Sequence, residues 1–277
     1  MRLIYPAFTA AMALASLVCL LDARESRDRT ILYATAVVYG LVLEKATIVF
    51  FDAYTYPAAS YVFDAFGIPL AIGLGWSAVI YAGIATAERV GLTTSLPAFT
   101  ALYALHVDLA MDAVAIRVPF WEWTPPGPWF GVPLGNFFGW FCVALLFPLW
   151  FRTLRRRTAN PLVLGGGTLV GSLVTLQLLL EVWVRTVDSV TLGASILLVL
   201  GAGATALVVR DSPRFDVTPP RTAFVVALVY HGFFLAVLFA TGIHRTTPPL
   251  VIVSGGMLLL GLAVHVRPGD LGRSVRP

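Results

Sequence analysis

Charge is scarce in this chain. Asp, Glu, Lys and Arg make up 12% of its 277 residues, and lysine occurs once, at Lys45. A soluble domain carries about 25% charge, so a water-exposed globule is excluded as a class. The formal net charge of +4 does not point to nucleic acid, because the arginines sit in short gaps between apolar runs. Basic residues there set membrane topology. Cysteine is nearly absent. Cys19 and Cys142 both fall inside apolar runs, which argues against a disulfide framework and for buried packing thiols. The N-terminal apolar stretch has only Arg2 before it and no clear small-residue cleavage site after it. It therefore reads as a first transmembrane helix rather than a signal peptide. The glycine run GGGTLVG (165–171) lies inside an apolar span with no strand before it, so it is not a dinucleotide fingerprint.

What the chain has in abundance is hydrocarbon. Apolar residues reach 58% and mean hydropathy is +0.84. Nine stretches are long enough to cross a bilayer at roughly 20 residues each: 3–21, 31–51, 67–87, 96–118, 131–151, 161–184, 189–209, 221–241 and 249–266. The expected fold class is all-α, a polytopic membrane helix bundle forming one integral domain over 1–277. One side of the membrane collects Arg24, Arg27, Arg29, Arg89, the cluster 152–157, Arg210, Arg214, Arg221 and the tail arginines 267, 273 and 276. The other side takes only Arg2, Arg117, Arg185 and Arg245. The positive-inside rule then puts the N-terminus outside and the C-terminus in the cytoplasm of a cell-membrane protein.

An eleven-residue phrase occurs twice. FGIPLAIGLGW spans Phe66–Trp76 and FGVPLGNFFGW spans Phe130–Trp140, sixty-four residues later. Greasiness alone does not demand two matching Phe-Gly-x-Pro-Leu openings that both finish in Gly-Trp. In the nine-span topology both loops that lead into the phrases (52–66 and 119–130) lie on the outer face. The repeat is therefore parallel and made of spans 2–3 and 4–5. Residues 31–151 form the repeat-bearing half, where chemistry is expected. Spans 6–9 (161–266) read as scaffold, with Gly167 and Gly171 allowing close packing.

An ionisable group inside a bilayer costs about 2.5–3.5 kcal/mol on insertion scales, so each is a functional candidate. Span 2 carries Glu44; span 4 carries His106, Asp108 and Asp112. At 1.5 Å per residue, Glu44, Asp112 and Asn136 lie roughly 8–10 Å below the outer ends of their spans and Asp108 about 15 Å. Asp108 and Asp112 are four apart and share a helix face. Two carboxylates together, out of water, disfavour double ionisation and suit proton donation. The plainer alternatives are that Glu44 pairs with Lys45 or His106 and that the aspartates only bond neighbouring helices. A metal set from His106, Asp108 and Asp112 is disfavoured, since Mg²⁺ would draw oxygen ligands from another helix. Glu122 reads as a loop residue at the mouth, and Gln177 and Glu181 face the same side. Tyr54, Tyr56, Trp121 and Trp123 surround this slab. Trp129 and Tyr61 read as an interfacial belt. Trp76 and Trp140 sit too deep for a belt, and their faces suit stabilisation of a cation. Phe137 neighbours Asn136 and joins the apolar wall.

At these residues the chain resembles the membrane-bound carotenoid biosynthesis family, which includes carotenoid 1',2'-hydratases and the archaeal bisanhydrobacterioruberin hydratase. Over residues 40–150 the resemblance rests on Glu44, the first phrase, the Asp108-x-x-x-Asp112 pair, the run WEWTPPGPWFGVPL (121–134) and Asn136 to Trp140. Two departures bear on the end group: FFDAYTYPAASYVFDAF (50–66) replaces a glycine-rich segment with Tyr-Glu-Tyr, and Ala113 stands where a proline is usual. The resemblance implies addition of water to a terminal isolated double bond of a long acyclic carotenoid, lycopene-type or of the bisanhydrobacterioruberin type, giving a tertiary alcohol. It implies a hydrophobic substrate reached from the lipid bilayer and no cofactor or metal. The catalytic set expected is Asp108, Asp112, Glu44 and Asn136. Substrate contacts are expected from Trp76, Trp140, Tyr54, Tyr56, Trp121, Trp123, His106 and Phe137. The same residues leave open a carotenoid end-group cyclase, an aspartate-rich prenyltransferase, for which only one acidic motif is found, and a small-molecule transporter.

Overall fold

The computed structural model describes residues 3–57, 60–214 and 218–265. Arg2 and the tail arginines 267, 273 and 276, which entered the sidedness count, lie outside the described residues. The architecture is an all-α membrane bundle. In chain order come α1 (Ile4–Ala23), α2 (Arg27–Phe51), α3 (Leu70–Arg89), α4 (Leu96–Ala115), α5 (Leu134–Arg155), α6 (Pro161–Thr186), α7 (Val190–Arg210), α8 (Arg221–Ala240), α9 (Ile243–Thr246) and α10 (Pro249–His265). The first eight are long and apolar enough to cross a membrane. α10 corresponds to the ninth expected span but has 17 residues, roughly 26 Å at 1.5 Å each. The single turn α9 has no counterpart in the expected spans.

Local chemistry explains the helix starts. Ser26 is extended and its hydroxyl accepts from Arg29 N, capping α2. Asn160 caps α6 by accepting from Leu162 N at 2.9 Å, with Pro161 at the first helical position, where its missing N–H costs nothing. Ser189 caps α7 by accepting from Leu192 N. α3 is buried along nearly its whole length and is the central post of the bundle, against α1, α2, α4 and α8. α4 is the second post, touching α3, α5, α7, α8 and α10. Gly167 and Gly171 of α6 do permit close packing: a Cβ at either would lie 2.8 Å from Leu154 Cδ1 or 2.6 Å from the Trp150 ring of α5. The contact runs helix to side chain rather than backbone to backbone.

The duplicated phrase is a duplicated structure. In the first copy, strands β2 (Asp64–Ala65) and β3 (Ile68–Pro69) pair antiparallel, with Ala65 opposite Ile68. In the second, Trp129 bridges Val132 in the same way. Between each pair stand a Phe and a Gly with positive φ: 58° and 79° at Phe66 and Gly67, 51° and 94° at Phe130 and Gly131. Two central residues with positive φ are the requirement of a tight type I′ hairpin turn. Pro69 and Pro133 then cap α3 and α5 from extended backbone. The loops before the phrases also meet each other. Strand β1 (Tyr54–Thr55) pairs with β4 (Glu122–Trp123), Tyr54 opposite Trp123. Both loops therefore cover the same end of the bundle.

Candidate functional site

The site is assembled by a close approach of α2 and α3. Gly40 lies against Trp76 so tightly that a Cβ there would sit 2.6 Å from Trp76 Cβ. One turn further along α2 stands Glu44, and Trp76 Nε1 donates to its Oε1 at 2.7 Å. The other carboxylate oxygen accepts from two hydroxyls of the β1 loop, Tyr54 at 2.5 Å and Tyr56 at 2.7 Å. Pairing of β1 with β4 fixes that loop, and the Tyr54 and Trp123 rings lie 4.7 Å apart. Burial first, then the neighbouring Glu44 carboxylate, push both phenols well above the ordinary tyrosine range. Both remain protonated donors. Glu44 is thus held by three donors from two segments, none of them the Lys45 or His106 considered from sequence; Lys45 is exposed.

Across from it, Asp108 and Asp112 stand one turn apart on α4, both buried. Asn136, in the first turn of α5, donates its amide to Asp108 Oδ2 and Asp112 Oδ2, each at 2.8 Å. The second oxygen of Asp108 is buried without a partner. Trp76 and Trp140, which close the two phrases, face one another with ring centroids 4.1 Å apart.

These groups wall a cavity of about 520 Å³, within the size range of small-molecule sites. Glu44, Asp112, Asn136, Trp76, Trp140, Tyr54, Tyr56, Trp121 and Trp123 all line it. Asp108 does not reach the lining; it backs Asp112. Two expected contacts fall elsewhere. His106 is not at the cavity. Its Nδ1 bonds the Tyr103 carbonyl one turn back at 2.5 Å, and its ring faces His231 of α8 at 5.1 Å between centroids. The reason is helical phase: His106 precedes Asp108 by two residues and so points to another side of α4. Phe137 is turned away by the same logic, one residue past Asn136, and packs edge-on to Trp129 at 6.4 Å.

The histidine neighbourhood is a separate feature. Nε2 of His106, Nε2 of His231 and both ring nitrogens of His265 are buried without a hydrogen-bond partner. Among the described residues, no three His, Cys, Asp or Glu side chains converge as a metal set. Glu122 is exposed in β4, and Glu181 is taken up by Arg185 at 2.5 Å. Trp129 and Tyr61 do more than a belt asks: they donate to the Leu109 and Phe120 carbonyls at 3.0 and 2.6 Å, stitching the loops to the bundle.

Sequence reasoning passed over part of the wall. Phe8 and Met12 of α1 line the cavity, as do Leu176, Leu180 and Trp183 of α6, Gly193 of α7 and Tyr230 of α8, the last three helices being among those read as scaffold. It also passed over a signal that was available. The sixty-four-residue shift that superposes the two phrases carries Glu44 onto Asp108. Each half of the repeat therefore contributes one acid at the same position, followed by the same hairpin and the same tryptophan.

In a comparison with protein families, residues 3–209 match the family described as carotenoid biosynthesis protein. No curated protein and no solved structure matches the chain. The matched region ends within α7, so Tyr230, His231 and His265 lie beyond it.

Proposed function

Because the chain belongs to the carotenoid biosynthesis protein family, we propose that it is a carotenoid hydratase, adding water to the terminal isolated double bond of a long acyclic carotenoid. The observation that carries this reading is the convergence of two acidic groups, Glu44 and the Asp108–Asp112 pair, on one aromatic-walled cavity.

Asp112, which reaches the lining, gives its proton to the less substituted alkene carbon. Asp108 is a positioning residue behind it, and Asn136 holds the two carboxyl groups in register. The π electrons form the new C–H bond, leaving a tertiary cation on the neighbouring carbon. Trp76 and Trp140 line the cavity, and the sides of their rings not turned to each other offer that cation quadrupolar stabilisation of about 0.5–2 kcal/mol. A water oxygen bonds to the cation and releases its proton to Glu44. The two phenols and the indole NH keep that carboxylate aimed. Return of the proton from Glu44 to the aspartates through water in the cavity closes the cycle. Nothing is oxidised or reduced. The same site would reject bulk water poorly if its loops were loose, which gives the β1–β4 pairing a functional reason.

The arginine distribution supports an exoplasmic cavity mouth, an outside N-terminus and a cytoplasmic C-terminus. Expression in a host that makes an acyclic carotenoid tests the function. The expected product is heavier by one water per modified end and carries label from labelled water. Asp112→Asn is expected to lower conversion at least about a hundredfold, within the usual contribution of general acid catalysis. A product of unchanged mass with cyclised ends would replace hydration with cyclisation.

A further inference from the structure

The cavity has a closed end and an open end, and the two differ in chemistry. At the closed end Glu44, Asp112 and Trp76 are 7%, 2% and 5% exposed. At the other end, between α5 and the α6–α7 turn, the lining residues Val184 and Val190 are 62% and 59% exposed. Between the two ends the lining contributed by α5 and α6 is largely apolar and forms a trough. Leu176, Leu180 and Trp183 fall four and three residues apart on one face of α6. Gly135 and Gly139 present a bare face of α5 opposite them. The Trp183 ring is seated by absence of side chains: a Cβ at Gly135 would lie 3.0 Å from its Nε1, and one at Gly193 3.4 Å from its Cζ2.

The duplication isolates what is special about this trough. Gly75 and Gly139 occupy the same place in the two phrases. A Cβ at Gly75 would meet Tyr230 Oη at 2.8 Å and Met12 Sδ at 3.3 Å, so that glycine serves packing against α8 and α1. At Gly139 the nearest atom is Leu180 Cδ2 at 3.8 Å, ordinary contact distance. Packing alone would accept alanine there. What a larger side chain would fill is the trough.

We propose that this α5–α6 trough is the binding track for the polyene chain of the substrate, with Gly139 and Leu180 as specificity-determining residues for long acyclic isoprenoids. The inference rests on the hydratase reading for the identity of the reacting end. A stiff conjugated chain whose terminus is held at Asp112 must leave by the open end, and the trough is the apolar path that leads there. Trp183, stacked on Phe138 at 4.5 Å between centroids, lines the path beside the exit.

The test uses the full chain and compares Gly139→Ala with Gly139→Phe, and adds Leu180→Trp to narrow the trough from the opposite wall. Each is produced in a host making an acyclic carotenoid, for conversion and co-purifying pigment. Each is also assayed in detergent with farnesol, a short acyclic isoprenoid with the same type of terminal double bond. Gly139→Ala, whose added methyl meets only Leu180 at ordinary contact distance, is expected to lose less carotenoid conversion and bound pigment than Gly139→Phe. Gly139→Phe and Leu180→Trp are expected to lose carotenoid conversion and bound pigment by at least about tenfold while keeping farnesol hydration within about threefold. Undiminished carotenoid conversion in Gly139→Phe overturns the track, as does equal loss of both substrates in both narrowed variants. Should wild type hydrate neither substrate, the hydratase reading fails separately. Wherever farnesol is not turned over, bound pigment decides the track: it stands if wild type retains pigment and Gly139→Phe and Leu180→Trp do not, and it falls with any other pattern.

Discussion

Glu44 and Asp112 face the same cavity with different retinues. The glutamate accepts from two phenols and an indole; the aspartate shares one amide donor with a second carboxyl group one turn away. Carboxyl groups in unlike surroundings are the usual basis for splitting acid and base roles, and in the proposed mechanism the split would follow the duplication, one role to each half. His106 marks the limit of reasoning from neighbourhood in sequence. Two residues from Asp108, it serves a different surface of α4. His106→Leu is expected to leave hydration within about twofold of wild type and the melting temperature equal or higher, since the change removes the unpartnered Nε2 while the Tyr103 carbonyl, inside α4, keeps its helical hydrogen bond. Conversion measured beside a thermal melt checks this, and a large fall in conversion would return His106 to the site.

The element that repeats is a hairpin turn feeding a helix. A phenylalanine in the left-handed region is costly, about 1–2 kcal/mol, yet it occurs at the same place in both copies. In the second copy the turn is tied down: Arg117 donates to the Phe130 and Ala113 carbonyls at 2.8 and 2.6 Å. In the first, Phe66 is 89% exposed and only Gly67 N is held, by Asp64 at 3.3 Å. Phe66→Asn, a residue that tolerates this region, is expected to stabilise the detergent-solubilised protein by about 1 kcal/mol. The corresponding change at Phe130 is expected to gain less, because the Phe130 side chain is half-buried beside Trp129 and Arg117. Thermal unfolding of both variants checks the order.

For the whole molecule, sidedness is the property with the clearest consequence. Native Cys19 and Cys142 are buried, so single introduced cysteines can be read against a silent background. In intact cells a membrane-impermeant maleimide is expected to label Glu122→Cys, on the exposed β4 beside the cavity mouth. Arg157→Cys, exposed in the turn between α5 and α6, is expected to react only after permeabilisation. The reverse pattern would invert the orientation and place the mouth in the cytoplasm. The cavity is not confined to the duplicated hairpins, because residues of α6, α7 and α8 also wall it.

Much of this was legible in the chain itself. Hydrophobic length specified the spans, since backbone in a bilayer must satisfy its own hydrogen bonds and a helix does so locally. The twin phrases marked twin helix starts, and the structure moves both starts three residues on, to Leu70 and Leu134, because Phe-Gly first makes a tight turn. Helical depth placed Glu44, Asp112 and Asn136 at a common level. What one dimension does not contain is azimuth: which side of each helix meets which neighbour. Only tertiary packing set Trp76 on Glu44 through the Gly40 contact, turned His106 and Phe137 away, and brought Leu180 and Trp183 to the far wall. Side-chain direction around a helix axis is decided by ridges and gaps on the surfaces it meets, and in a chain greasy on every face the hydrophobic pattern leaves that choice to packing.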